Sequence, residues 1–256
     1  METFQLSEKL LKKIADLISA KKNTPLKKIV KDIHFADMAE IINELNEQQG
    51  IYLIKLFDSE KTSEILTELD EDVREKILKA LSVKEIADEI EELDSDDAAD
   101  ILGELSDERK EEVISEISDD NLADDLKELL SYEEDSAGGL MAKELVQANE
   151  NWSVTKCLGE IKKQGENVTR VHSIYVVDDK QKLIGRLSLK DLITSPAKNL
   201  IKDIYIPKVD SANVYDDGEE VAKIMSKYDL EAIPVVDNKK QLVGRITIDD
   251  IVDFIK

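Results

Sequence analysis

Cysteine is nearly absent from this 256-residue chain: Cys157 stands alone, which excludes an internal disulfide framework and fits a reducing compartment. Histidine is almost as scarce. His34 and His172 are isolated from each other, and the H-E-x-x-H, G-x-S-x-G and P-loop spacings do not occur, so the usual zinc, nucleophile and phosphate-cradle motifs are missing. No uninterrupted apolar run approaches the roughly 18–20 residues that span a bilayer. The opening M-E-T-F-Q-L-S-E-K-L also lacks a signal-peptide layout, so a cytoplasmic location is expected. Positive charge is in deficit, with 35 Lys and Arg against 58 Asp and Glu and a net charge of −23. Carboxylates this abundant do not single out an acid–base pair, and no enzyme is expected.

Hydrophobic residues at 41% argue against a disordered acidic chain, and the length suffices for one large or two ordinary domains. The charge is uneven: +5 over residues 1–31, −27 over 32–135 and −1 over 136–256. The acidic block repels nucleic acid and anionic membranes and attracts cations or a basic protein. It also repeats every 24 residues. Leu45, Leu69, Leu93 and Ile117 form one column and Phe57, Leu81, Leu105 and Leu129 a second, with Ile54, Leu78, Leu102 and Leu126 three residues before the latter. Twenty-four residues hold two short one-sided helices and their turns, and such units bury their stripes only by stacking, as in an α-solenoid. Turn signals at Asp70, Asp94 and Ser106 exclude a long coiled coil. The basic N-terminal segment carries Leu6, Leu10, Ile14, Leu17 and Ile18 on one stripe. Capping the first repeat is the preferred role for it over lying on a membrane.

Within the block, L-D-S-D-D-A-A-D-I-L-G-E-L (93–105) predicts an amphipathic helix with Ser95 as its capping hydroxyl. Asp97, Asp100 and Glu104 crowd its flank at a cost of about 0.2–0.5 kcal/mol per pair. After S-Y-E-E-D-S-A-G-G-L-M (131–141) the pattern changes. I-Y-V-V-D-D-K-Q-K-L-I-G-R-L-S-L-K-D-L-I (174–193) matches I-P-V-V-D-N-K-K-Q-L-V-G-R-I-T-I-D-D-I-V (233–252) at nine of twenty positions, an offset of 59. Each copy predicts strand, turn, strand and helix, preceded by another helix at 152–164 or 217–228. Cys157, Trp152 and Met141 are expected to serve packing.

The G-h-h-[ST]-x-x-D element, present as Gly185, Ser188, Asp191 and again as Gly244, Thr247, Asp250, resembles cystathionine-β-synthase-type (CBS) domains. The acidic repeats together with Y-E-E-D-S-A-G-G-L-M resemble the cytosolic N domain of the MgtE-type magnesium transporters. The resemblance runs from about residue 32 to the end. It implies an α plus α/β chain, with a right-handed α-solenoid of short helix pairs over 1–135 and a tandem CBS pair of β-α-β-β-α repeats over 136–199 and 200–256. It also implies that Mg²⁺ bound between acidic N-domain and CBS surfaces favours a compact, closed state. By motif position the implied metal residues are Asp94, Asp97, Glu219, Asp229, Asp249 and Asp250, with Asp100 and Glu104 as neighbours; each is equally a solvated or capping acid. An adenine nucleotide such as ATP would meet Ser188 and Asp191, or Thr247 and Asp250, although Ser-x-x-Asp is also a capping arrangement. Five extra residues before V-H-S-I-Y-V-V are expected to reshape the first copy's pocket. In the family a transmembrane pore follows the CBS pair, so the expectation is either a cytosolic piece of a transporter or a pore-less relative. The implied partners are a second copy through the CBS domains and, in a longer protein, that pore. The alternatives are a stand-alone nucleotide-sensing CBS module and a protein-interaction scaffold.

Overall fold

Helices of 8–12 residues are marginal alone in water and depend on packing, and the first part of the chain is built of nothing longer. The computed structural model describes residues 4–255, the side chain of Asn167 excepted. Ten helices precede the first strand among these residues: α1 (Glu8–Ser19), α2 (Asn23–Val30), α3 (Phe35–Asn43), α4 (Glu47–Ile54), α5 (Ser59–Glu68), α6 (Glu71–Ala80), α7 (Val83–Ile90), α8 (Ser95–Gly103), α9 (Asp107–Glu116) and α10 (Asp120–Leu129). Phe35, Ser59, Val83 and Asp107 start their helices at the 24-residue period, as do Glu47, Glu71 and Ser95. Capping follows the turn chemistry. Asp58 and Ser82 accept first-turn N–H groups, and Asn46 with Gln49 and Ser82 with Glu85 form capping boxes.

The chain divides into two compact units, Met1–Leu93 with Asp97–Ala123 and Asp94–Asp96 with Asp124–Lys256. In the first, α3 packs on α5, α5 on α7, α7 on α9, and α4 on α6, the ladder expected of stacked pairs. Ile54, Leu78, Leu102 and Leu126 are all buried, as are Ile41, Ile65 and Val113 in a further column. α1 buries Ile14 and Ile18 and packs on α2 and α4, so this helix covers the first repeat.

Basic side chains close the C-terminal ends of these short helices, where carbonyls lack partners and the dipole is negative. Lys61 Nζ donates to the carbonyls of Val30, Lys31 and Ile33 at 2.9, 3.2 and 3.0 Å. Arg109 donates to those of Leu78 and Leu81. Arg74 reaches the carbonyls of Leu66, Thr67 and Leu69 through Nη1, and its Nε lies 2.8 Å from Glu104. Glu104, expected beside a metal ion, is therefore neutralised within the helical stack.

The second unit holds two β-α-β-β-α copies. The first is β1 (Val146–Asn149), α11 (Val154–Gln164), β2 (Ile174–Val177), β3 (Leu183–Leu187) and α12 (Leu189–Thr194), followed by the short β4 (Ile206–Pro207). The second is β5 (Ala212–Asn213), α13 (Gly218–Tyr228), β6 (Ala232–Val236), β7 (Leu242–Thr247) and α14 (Ile248–Ile255). In each, the first strand runs parallel to the second, which pairs antiparallel with the third. Each sheet is completed by the segment that precedes the other copy: β4 pairs with β3, and Ala142 exchanges backbone hydrogen bonds of 2.8 and 2.9 Å with Arg245 of β7. Gly185 and Gly244 sit at these crossings. A Cβ on Gly244 would lie 2.8 Å from the Ala142 carbonyl oxygen, and one on Gly185 would meet that of Ile206. The hairpin turns pair reciprocally, Leu183 N–H to Lys240 O and Leu242 N–H to Gln181 O, each at 3.0 Å. Cys157, Trp152 and Met141 all serve packing; Cys157 and Met141 are fully buried, and burial pushes the Cys157 thiol up to about 11.

Replacing Arg74 by Met keeps the aliphatic stem and removes its bonds to three carbonyls and Glu104. Urea unfolding is expected to show a loss of about 2 kcal/mol, and an unchanged midpoint would show that the guanidinium contributes nothing net.

Candidate metal centre and nucleotide cleft

The phase of the 24-residue repeat decides how Asp94, Ser95 and Asp96 are used. Asp94 precedes α8 as Asn46 precedes α4 and Asp70 precedes α6, so the position before the helix belongs to Asp94 and Ser95 lies inside the first turn. Ser95 is fully buried and is not the capping hydroxyl expected from the sequence. Its Oγ accepts the Lys143 N–H at 2.8 Å and donates to Glu144 Oε2 at 2.8 Å, while its own N–H donates to the same oxygen at 3.1 Å.

This latch brings carboxylates together. Ligand oxygens of Asp94, Asp96 and Glu144, all partly buried, lie within 4.8 Å of one another. Arg245, 6% exposed, stands beside them: its Nη2 is 3.6 Å from Asp94 Oδ2 and its Nε donates to the Glu144 carbonyl. Lys143 is turned to Glu128 at 2.8 Å. Three carboxylates against one guanidinium leave a net negative set of hard oxygen donors, the chemistry of Mg²⁺ or Ca²⁺ rather than of zinc or copper.

Of the six acids anticipated as metal residues and their neighbours Asp100 and Glu104, only Asp94 belongs to a three-carboxylate group among the described residues. Asp97 and Asp100 lie exposed on α8. Glu219, in the first turn of α13, is 3.4 Å from Lys223, whereas Asp229 ends that helix in a left-handed conformation with φ 50°. Ten residues of helical rise put those two acids roughly 15 Å apart, too far to share one ion. Asp249 and Asp250 open α14. Asp96 and Glu144 were missed; Glu144 is the third residue after A-G-G-L-M, but no periodicity links it to residue 95.

The two Ser/Thr-Asp pairs differ. Ser188 caps α12: its Oγ donates to Asp191 Oδ2 at 2.7 Å and accepts the Asp191 N–H at 3.0 Å, the capping arrangement the spacing allows. In the second copy the Thr247 N–H donates to Asp250 Oδ2 at 2.6 Å, while the buried Thr247 hydroxyl lies beside the carboxylates without a hydrogen bond of ordinary geometry. Burial raises the Asp250 pKa against the opposing Thr247 N–H. For Asp249 burial acts upward too, but the Thr247 hydroxyl, its own backbone, His172 and Arg245 outweigh it and the pKa falls. The segment with the five extra residues supplies Val168, Arg170 and His172 to a cavity of about 10 Å³ beside Tyr175 and Arg245, room for a single water.

The MgtE intracellular N domain matches residues 33–135, and the CBS domain matches 137–198 and 201–256. The magnesium transporter MgtE of Thermus thermophilus is 41% identical over 128 residues, and that of Enterococcus faecalis 39% over 127; each match covers 50% of this chain and 28% of the transporter. A solved structure of the cytosolic domain of the Mg²⁺ channel MgtE in complex with ATP superposes with a TM-score of 0.87 at 31% identity, covering 95% of this chain and 99% of that one. The soluble part of a magnesium transporter gives 0.81 at 28% identity, with 97% of both chains covered. No helix among the described residues is long and apolar enough to cross a membrane.

Ser95→Ala would leave the part-buried Lys143 N–H unpaired and hold Glu144 by the residue-95 N–H alone. It is expected to cost about 1–3 kcal/mol in urea unfolding, and a neutral result would show that the latch does not hold this segment.

Proposed function

The chain belongs to the MgtE family, to whose cytosolic region it corresponds, and we propose that it is the Mg²⁺-sensing regulatory part of a magnesium transporter or channel. Mg²⁺ held by acidic N-domain and CBS surfaces favours a compact, closed state. The domain limits that go with this reading are 1–135, 136–199 and 200–256. The observation that carries it is the Asp94, Asp96 and Glu144 group, set in a chain whose residues 32–135 carry −27. An ion bound there relieves like-charge repulsion, and it shifts the protein by the difference in its affinity for the two states. Asp97, Asp100, Glu219, Asp229, Asp249 and Asp250 contribute to weaker, water-bridged binding of the kind Mg²⁺ tolerates. The role is regulatory and not enzymatic, it is exercised at the cytosolic face of a membrane, and the partners are a second copy through the CBS pair and a pore domain.

A nucleotide site is part of the proposal because the Thr247 hydroxyl is buried at a helix start next to Asp250, and a relative of known structure is in complex with ATP. Thr247 with Asp250 is the better-supported pocket, because there the aspartate is held by the Thr247 N–H, whereas the Ser188 hydroxyl itself donates to Asp191.

Calorimetry of the whole chain at constant ionic strength tests both parts. Saturable Mg²⁺ binding is expected, weakened about tenfold by Asp94→Asn, Asp96→Asn or Glu144→Gln, and ATP binding is expected to be lost with Asp250→Asn. Heat reproduced by Na⁺, or unaffected by all three substitutions, contradicts the metal site; no heat with ATP removes the nucleotide.

A further inference from the structure

Position 89 breaks a column. Ile41, Ile65 and Val113 occupy the equivalent places of the other repeats and are fully buried, whereas the third repeat puts Glu89 there, only 9% exposed and with Oε2 lacking any hydrogen-bond partner. Position 85, one turn earlier on α7, breaks a second pattern. Lys61 and Arg109 occupy the equivalent places of the neighbouring repeats, and each donates to carbonyls 31 and 28 residues back, at Val30 and Ile33 or at Leu78 and Leu81. The third repeat has Glu85 instead, and the residues 31 and 28 back from it are Ile54 and Phe57, at the end of α4.

Those residues line one cavity. It has about 190 Å³, ample for an ion with several waters, and its wall includes Ile54, Phe57, Asp58, Glu85, Asp88 and Glu89. Where the adjacent repeats insert their own ammonium or guanidinium against a helix C-terminus, this one offers a hollow, acids and the negative end of the α4 dipole. Lys55 at the rim is 3.0 Å from Glu85 and does not partner the buried Glu89 oxygen.

We propose that this hollow is a cation slot of the helical stack, in which a hydrated divalent metal ion takes the place that Lys61 and Arg109 fill in the repeats on either side. The carboxylates do not come within direct three-ligand reach of one another among the described residues, so they act through the ion's own waters, which Mg²⁺ retains readily. Burial first, then the charges of Asp88, Glu85, Glu92 and Asp58, push the Glu89 carboxyl up to about 8, a penalty that a bound cation offsets. The slot is separate from the Asp94, Asp96 and Glu144 group and does not depend on the function proposed above.

Paramagnetic broadening of backbone amide NMR signals by Mn²⁺, used as the probe and displaced by Mg²⁺, tests it on the whole chain. Amides of Phe57, Asp58 and Glu89 are expected to broaden at substoichiometric Mn²⁺. About tenfold more Mn²⁺ should be needed in Glu89→Gln, and the effect should be lost in Glu85→Arg, which supplies the missing cation internally. The Glu89→Ile variant restores the aliphatic column and serves as a second folded control, also without broadening. Amides near 57 and 89 that stay sharp while those near 94 and 144 broaden overturn the slot and leave the other metal group standing. Broadening that survives in Glu89→Ile or Glu85→Arg overturns it as well.

Discussion

Short one-sided helices cannot stand alone, and the first unit follows from that constraint. Each 24-residue turn of the repeat supplies two helices with one apolar face, so only stacking removes Ile54, Leu78 and their equivalents from water. Short helices also multiply ends. Lys61, Arg74 and Arg109 are drawn inward to close C-termini, and Lys55, Lys76, Lys79, Lys110 and Lys127 pair with carboxylates. With nine basic residues against 36 acids over 32–135, such use leaves an acid surplus that no residue of that stretch can balance. Mobile cations are the natural counter-charge, so the same architecture that needs buried bases creates the demand for external ones.

The second unit depends on an exchange. Because the segment preceding each copy completes the other's sheet, the two glycines of the G-h-h-[ST]-x-x-D element are places where another backbone crosses, a steric duty distinct from any ligand role. Arg245 joins that exchange to the acidic group: its backbone pairs with Ala142 while its guanidinium reaches Asp94 and the Glu144 carbonyl. Side chains that could hold an ion are thus tied to the strand that holds the copy together.

Periodic features were legible in the sequence. The 24-residue columns anticipated the helix starts, and the 59-residue offset anticipated both β-α-β-β-α copies, because burial demands the same residue types at the same places each time. Contacts without a period were not legible. Ser95 and Glu144 lie 49 residues apart and nothing in their spacing couples them, so the S-D-D run suggested a cap where the structure has a latch. Which acids converge was hidden for the same reason: in a block so rich in Asp and Glu, Asp96 looks no different from Asp97. Glu89 is the intermediate case, an exception visible only after the Ile41, Ile65 and Val113 column is drawn.

Under the proposed function, divalent ions shift the state of this chain beyond their contribution to ionic strength. Small-angle scattering across a Mg²⁺ series at constant ionic strength, with Na⁺ as the matched control, addresses it directly, since screening alone acts equally in both. A smaller radius of gyration is expected with Mg²⁺, and Na⁺ is not expected to reproduce it. Superimposable curves in the two salts would contradict it.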